Sequence, residues 1–258
     1  MDPATLVGIG LAFAAIFVSM IMEGGNPASI ILPPPMILVF IGTFGVAMAG
    51  GLMKDTTAAL AAVKNALMGK KHSADETVAT LVSFAERARR EGLLALEEMA
   101  KTVDDPFMRK GIELAVDGTD PDELREIMEA EIVSKKASDK AGAKLFNDMG
   151  GFAPTLGIIG TVLGLIHVLE NLSEPEKLGH LIAGAFVATL WGVLTANVMW
   201  LPLGSKLKRL GEIEAHHMQL VMEGVLAVQA GANPRVIEQK LLSFLPAAER
   251  PESTEKAA

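Results

Sequence analysis

Charged residues are missing from four long stretches of this 258-residue chain. Twenty residues separate Asp2 from Glu23, thirty separate Glu23 from Lys54, twenty-one separate Asp148 from Glu170, and twenty-eight separate Lys177 from Lys206. A bilayer core about 30 Å thick takes about 20 apolar residues at about 1.5 Å each, so every stretch is long enough to cross. The pattern predicts spans near residues 4–22, 30–53, 150–169 and 181–204. The first does not read as a cleaved signal peptide: no Lys or Arg precedes it, and its apolar run exceeds the usual 7–15 residues. Pro33-Pro34-Pro35 suits the start of the second, where missing amide donors cost least.

The intervening segments read as helical. Residues 55–68 continue the second span with Ala-rich sequence and no Pro or Gly before Gly69. Thr119-Asp120-Pro121 opens another helix, with a capping residue, proline in the first turn and then two acids. Leu124, Ile127, Met128, Glu131 and Ile132 mark one of its faces, apolar except for Glu131, and Val221, Val225 and Val228 do the same nearer the C-terminus. Asn233-Pro234 starts a last helix ending near Leu245, and the polar, proline-containing sequence from about 246 predicts disorder. No strand-like alternation or internal repeat is visible. The predicted fold is all-α: a polytopic membrane protein with four transmembrane helices and a helical cytoplasmic domain. Its divisions are spans one and two (1–53), a cytoplasmic domain (54–147), spans three and four (148–204), and a cytoplasmic tail (205–258).

Charge orients this layout. Fifteen Lys or Arg fall in 54–147 and seven in 205–258, and Lys177 is the only other one. Lys54, Lys140, Lys144, Lys206, Lys208 and Arg209 lie within about 15 residues of a span end, where the positive-inside bias acts. Both termini are therefore expected in the cytoplasm. Zero cysteines exclude a disulfide framework, a thiolate metal site and a catalytic thiol. A formal charge of −8 excludes a strongly basic nucleic-acid surface. No phosphate-binding loop or nucleophile motif is present, so neither enzyme nor cofactor is expected.

Candidate chemistry begins with an absence. Ion-translocating proteins place an ionisable group at membrane depth, yet no Asp, Glu, Lys or Arg lies inside any span. The plain reading is a set of anchoring helices. Against it, the last two spans carry Thr155, Thr161, Thr189, Thr195, Asn197, Pro154 and Pro202, with Gly157, Gly160 and Gly164 on one side for close packing. If ions pass here, a partner chain must supply the carboxylate. Trp200 fits the inner aromatic belt and Trp191 a packing role. His216-His217 reads as a solvated pair. A second feature is the motif from Phe84 to Glu98, where Arg87, Arg89 and Arg90 precede Gly92 and Glu97 and Glu98 follow an apolar cluster. It is either an ordinary solvated helix end, with pairs worth under about 1 kcal/mol each, or a bipolar surface that registers a partner.

Several ordered motifs carry a family resemblance. They are Met1-Asp2, Ala88-Arg89-Arg90-Glu91-Gly92-Leu93-Leu94-Ala95-Leu96-Glu97, and Phe152-Ala153-Pro154-Thr155-Leu156-Gly157-Ile158-Ile159-Gly160-Thr161. Leu178-Gly179-His180, Ala185 to Gly192, Pro202 with Lys206-Leu207-Lys208, and residues 223–246 complete the set. Over about 240 residues the chain resembles the MotA/PomA family of flagellar stator subunits. The resemblance implies an inner-membrane protein in a ring of five around two copies of a MotB-like, single-span, peptidoglycan-anchored partner whose aspartate binds the transported ion. It also implies rotor contact, with the switch protein FliG, through Arg89 and Glu97 aided by Arg90 and Glu98. Thr161 and Thr189 match threonines of the ion path, and Pro154 and Pro202 the family's functional prolines. Ala188 stands where sodium-driven members carry threonine, so the coupling ion is proton or sodium, with the wider pattern favouring protons. An ExbB/TolQ-like subunit energising outer-membrane transport is the alternative, against which the four-span pattern speaks. A passive scaffold is a third.

Overall fold

The structure, a computed structural model, describes residues 4–68 and 73–245, and among these the regular structure is entirely helical. Helix α1 spans Ala4–Met22, α2 Pro33–Ala49, α3 Met53–Met68, α4 Ala74–Glu91, α5 Pro106–Val116, α6 Pro121–Glu170, α7 Pro175–Gln229 and α8 Pro234–Phe244. The disorder expected from about 246 and the Met1-Asp2 motif lie outside the described residues. The chain divides into two compact units, residues 1–69 with 138–210 and residues 70–137 with 211–258. Helix α3 falls within the first of these units.

In the first unit, α1, α6 and α7 are long and apolar enough to cross a membrane, and α2 is a shorter apolar helix. No residue of α1 is buried, and Leu11 and Met22 stand outward. Its Phe13, Ile16, Phe17 and Met20 rest on a core of Ile30, Val39, Val187, Trp191 and Leu194. The prolines at 33–35 occupy the first turn of α2, which needs no amide donors.

The second apolar stretch does not run unbroken into residues 55–68. It stops at Ala49, because Gly50 and Gly51 favour a turn and the Asp55 carboxylate accepts from the Leu52 amide, restarting the chain as α3. Conversely, α6 and α7 extend far beyond 150–169 and 181–204, as the flanking sequence keeps good helix formers. Each π-turn in the unit has a local setting. One, Leu38–Gly42, follows the proline run. The other, Ala196–Trp200, ends two residues before Pro202, whose missing N–H and bulky ring disfavour a regular turn before it. Trp200 is half-buried, stacked on Phe146 with Phe40 at its edge.

In the second unit, Leu81 and Phe84 of α4, Ile112 of α5, Leu124, Met128 and Ile132 of α6, Val221, Val225 and Val228 of α7, and Ile237 and Leu241 of α8 form one core. Both apolar faces read from the sequence point inward, although Ile127 is only partly covered. Glu223 joins three helices, accepting from Arg125 at 2.9 Å and Lys240 at 2.6 Å. Burial pushes its carboxyl up, but the two cations outweigh that and hold it below the usual range. His217 is not solvated: its Nε2 lies 2.9 Å from Asp105 Oδ2, and both side chains are only 11% exposed. Asp105 Oδ1 meanwhile accepts from the Phe107 and Met108 amides, capping α5. His216 contacts the Phe244 carbonyl at 2.8 Å.

Burial raises the Asp105 carboxyl, yet bonds from His217, Met108 and Phe107 more than offset it and hold it below its ordinary value. A depressed carboxylate contributes stability that is present above the unfolded value of about 3.9 and lost as pH falls through the folded value. Asp105→Asn keeps the cap but not the charge. It should lower Tm near neutral pH and flatten the acid dependence below about pH 4 in circular-dichroism melts. An acid dependence identical to that of the parent chain would contradict this assignment.

Candidate functional site

The segments of α6 and α7 in the first unit run antiparallel, and small residues set their spacing. A Cβ built on Gly157 would lie 2.9 Å from the Ala188 carbonyl oxygen, and one on Gly192 2.6 Å from the Ala153 carbonyl oxygen. Corresponding atoms on Gly160 and Gly164 would meet the Ala188 and Ala185 methyls at 2.6 and 2.7 Å. Two backbones therefore touch with no side chain between them, the approach that small residues at three- and four-residue intervals permit. Towards the other end, Gly150 is covered by the Leu201 side chain and Gly204 by Asn147. Gly157 matches Gly192 and Ala188, whereas Gly150 matches Leu201. The π-turn lies between these two sets of contacts, and its extra residue resets the phase of α7 so that the same face continues.

Thr161 and Thr189 meet at this close approach. The Thr161 hydroxyl is within hydrogen-bond distance of Thr189 Oγ1, of the Ala185 carbonyl at 3.0 Å, and of its own helix's Gly157 carbonyl at 3.2 Å. Thr189 reaches the same Gly157 carbonyl at 3.3 Å. Each hydroxyl has a single proton, so two donors share two carbonyls and each other, and more than one donation pattern fits the same heavy atoms. In the same two helices Thr155 is satisfied by Phe152, Thr195 by Trp191 and Asn197 by Val193, all through carbonyls, whereas the buried Thr43 hydroxyl of α2 has no hydrogen-bond partner among the described residues. Ala188 is 1% exposed and fills the contact against Gly160. Trp191 donates to the Ile30 carbonyl at 2.6 Å, tying α7 to the turn before α2.

Pro154 lies inside α6, four residues after Gly150, whose carbonyl it leaves without the regular helix donor. The side chain of Leu201, next to Pro202, packs on Gly150, one turn before Pro154. The sequence marked both prolines and the α6 glycines. It did not mark Ala185, Ala188 and Gly192 as their counterparts, although their three- and four-residue spacing was the available signal.

The charged motif belongs to the second unit. Arg89 and Arg90 end α4, and Glu97 and Glu98 open a short helical turn, Glu97–Ala100. All four are exposed. Gly92, at φ +86°, turns the chain between them in a conformation that favours glycine. Arg87 pairs with Glu91 at 3.1 Å, and Lys101 lies 3.4 Å from Glu97 and 2.8 Å from Glu98. The Lys101 ammonium holds the Glu98 carboxyl below its ordinary range.

An apolar helical unit, with helices long enough to cross a membrane and a polar, glycine-lined contact between two of them, is the architecture of a helical membrane protein. The family model described as Motility protein A N-terminal matches residues 6–92, and that of the MotA/TolQ/ExbB proton channel family matches residues 99–220. Motility protein A of Bacillus subtilis is 38% identical, covering 97% of this chain and 93% of its own length. Chemotaxis protein PomA of Vibrio alginolyticus is 34% identical, covering 95% and 96%. The flagellar MotAB stator complex from Bacillus subtilis contains a chain that aligns with TM-score 0.89 and 38% identity, over 98% of this chain and 100% of that one. The C. jejuni MotAB structure aligns with TM-score 0.90 and 34% identity, over 96% and 97%. This chain belongs to the motility protein A family.

The backbone-to-backbone contact makes a direct prediction. Gly192→Ala places a methyl against the Ala153 carbonyl oxygen and the Gly157 backbone, which cannot rotate aside. It should sharply reduce folded protein in the membrane, whereas Gly151→Ala, with nothing within 4 Å, should leave it unchanged. Equal yields of the two in fluorescence-detected size exclusion would rule out the close contact.

Proposed function

We infer that this chain is a stator subunit of a flagellar motor, which with a MotB-like single-span partner couples proton flow to torque. The carrying observation is the Thr161–Thr189 clasp at a glycine-lined contact, in spans that contain no carboxylate of their own. Such a path needs an ion-binding acid from outside, and one partner helix bearing an aspartate supplies it. In this reading α1, α2 and the apolar parts of α6 and α7 cross the inner membrane four times, with both termini cytoplasmic. At 17 residues, α2 reaches about 25 Å, enough with local thinning of the bilayer. A ring of five copies surrounds the partner, and Arg89, Arg90, Glu97 and Glu98 face the switch protein FliG. The ExbB/TolQ-like alternative is less favoured, because the motility-type N-terminal match and relatives aligned over nearly the whole chain support the motor. The carried ion is taken as a proton, with sodium the other outcome of the flux measurement below.

Pro154 and Pro202 are the proposed hinges. One charge crossing about 150 mV releases about 3.5 kcal/mol, enough to switch a two-state element and too little to unfold a domain. Helix turns that each lack a regular backbone bond are where such a switch costs least.

Two outcomes follow. In liposomes the chain alone should pass no proton or sodium current. The chain with its partner should conduct, and aspartate-to-alanine in the partner's span should abolish the flux; robust current from the chain alone would overturn this function. Separately, Pro154→Ala and Pro202→Leu should reach the membrane and bind the partner, yet lose motility. Normal swimming by both would remove the hinge role, and absence of both from the membrane would make the prolines structural.

A further inference from the structure

Leu94 lies between the two charged halves of the motif and is 76% exposed, the most exposed large apolar side chain described in the second unit. A lone surface leucine is ordinary. This one differs in how it is held. Its neighbours Leu93 and Leu96 pack on the core, Leu96 completely, so the 3₁₀ turn Leu93–Leu96 is pinned from inside with Leu94 directed away. Backbone bonds close the turn, from the Ala95 amide to the Gly92 carbonyl and from the Glu97 amide to the Leu94 carbonyl. A side chain displayed on a fixed turn loses little backbone freedom when it docks.

The flanking charges define what it faces. Because Glu91 is taken by Arg87, the positive charges of Arg89 and Arg90 are not matched by a carboxylate among the described residues. On the other side, Glu97 and Glu98 share the single cation of Lys101, leaving one negative charge in excess. We propose that Leu94 is the apolar anchor of this surface, seated in a pocket on a partner helix that presents acidic groups to Arg89 and Arg90 and a basic group to Glu97 and Glu98. The inference rests on the rotor-contact reading above and assigns it a division of labour. Solvent-exposed charges steer encounter and set the association rate, whereas a buried apolar anchor ringed by polar contacts sets how long the complex lasts.

The test uses the complete stator complex in nanodiscs, with purified rotor switch protein as the probe, and measures association and dissociation rates by surface-based kinetics. Leu94→Ala should raise the dissociation rate about tenfold, equivalent to about 1.4 kcal/mol, with association and Tm unchanged. Arg89→Gln should slow association and weaken its salt dependence, and Val236→Ala, an exposed apolar residue of α8, should change neither rate. If Arg89→Gln weakens binding and Leu94→Ala does not, the anchor is wrong and the rotor surface stands. If neither changes either rate, both fail. A Leu94→Ala variant that lowers Tm or slows association in proportion is acting on the fold, and that result overturns the anchor too.

Discussion

The contact of α6 with α7, made at Gly157 and Gly192 without a side chain between the backbones, is the constraint on which the first unit depends. It brings Thr161 within reach of a carbonyl on the other helix and of Thr189. Without that approach the two hydroxyls would satisfy only their own helices, as Thr155 and Thr195 do. In an apolar surrounding an unshared hydroxyl is costly, so a clasp satisfied across the contact both fastens the helices and concentrates polarity at one level. No Asp, Glu, Lys or Arg lies in these spans, which is what the proposed need for a partner's carboxylate rests on.

The second unit answers a different demand. Its core is closed by apolar faces from five helices and fastened by Glu223 and by the Asp105–His217 pair, so it can display the motif at the end of α4 on a fixed turn. Gly92 lets the chain leave α4 and return its leucines to the core within a few residues. Charges on such a surface contribute little to folding, which leaves them free to serve recognition.

Periodicity disclosed the parts that obey simple rules. The α1 bounds follow from an uncharged run, and Leu124, Met128, Val221 and Val225 from helical spacing. The caps at Asp120 and Asn233 follow from residue type, and both side chains accept the expected amides. Features that depend on a distant partner were not legible. His217 looked solvated because Asp105 lies 112 residues away. The break after Ala49 depends on Asp55 reaching back to one amide, a single bond that a hydrophobic run does not reveal. The π-turn at Ala196–Trp200 reflects the sterics of Pro202 combined with the register of a facing helix. At the site, the α6 glycines were visible as a stripe, but the identity of the surface opposite them needed the fold.

The central claim is that Thr161 and Thr189 act as one unit at the helix contact in the conducting complex. A double-mutant cycle in proton flux, with Thr161→Val, Thr189→Val and the pair measured in liposomes with the partner present, tests it directly. If the two hydroxyls work as a clasp, removing either should cost as much flux as removing both. Losses that multiply independently, or single variants that conduct normally, would contradict the account.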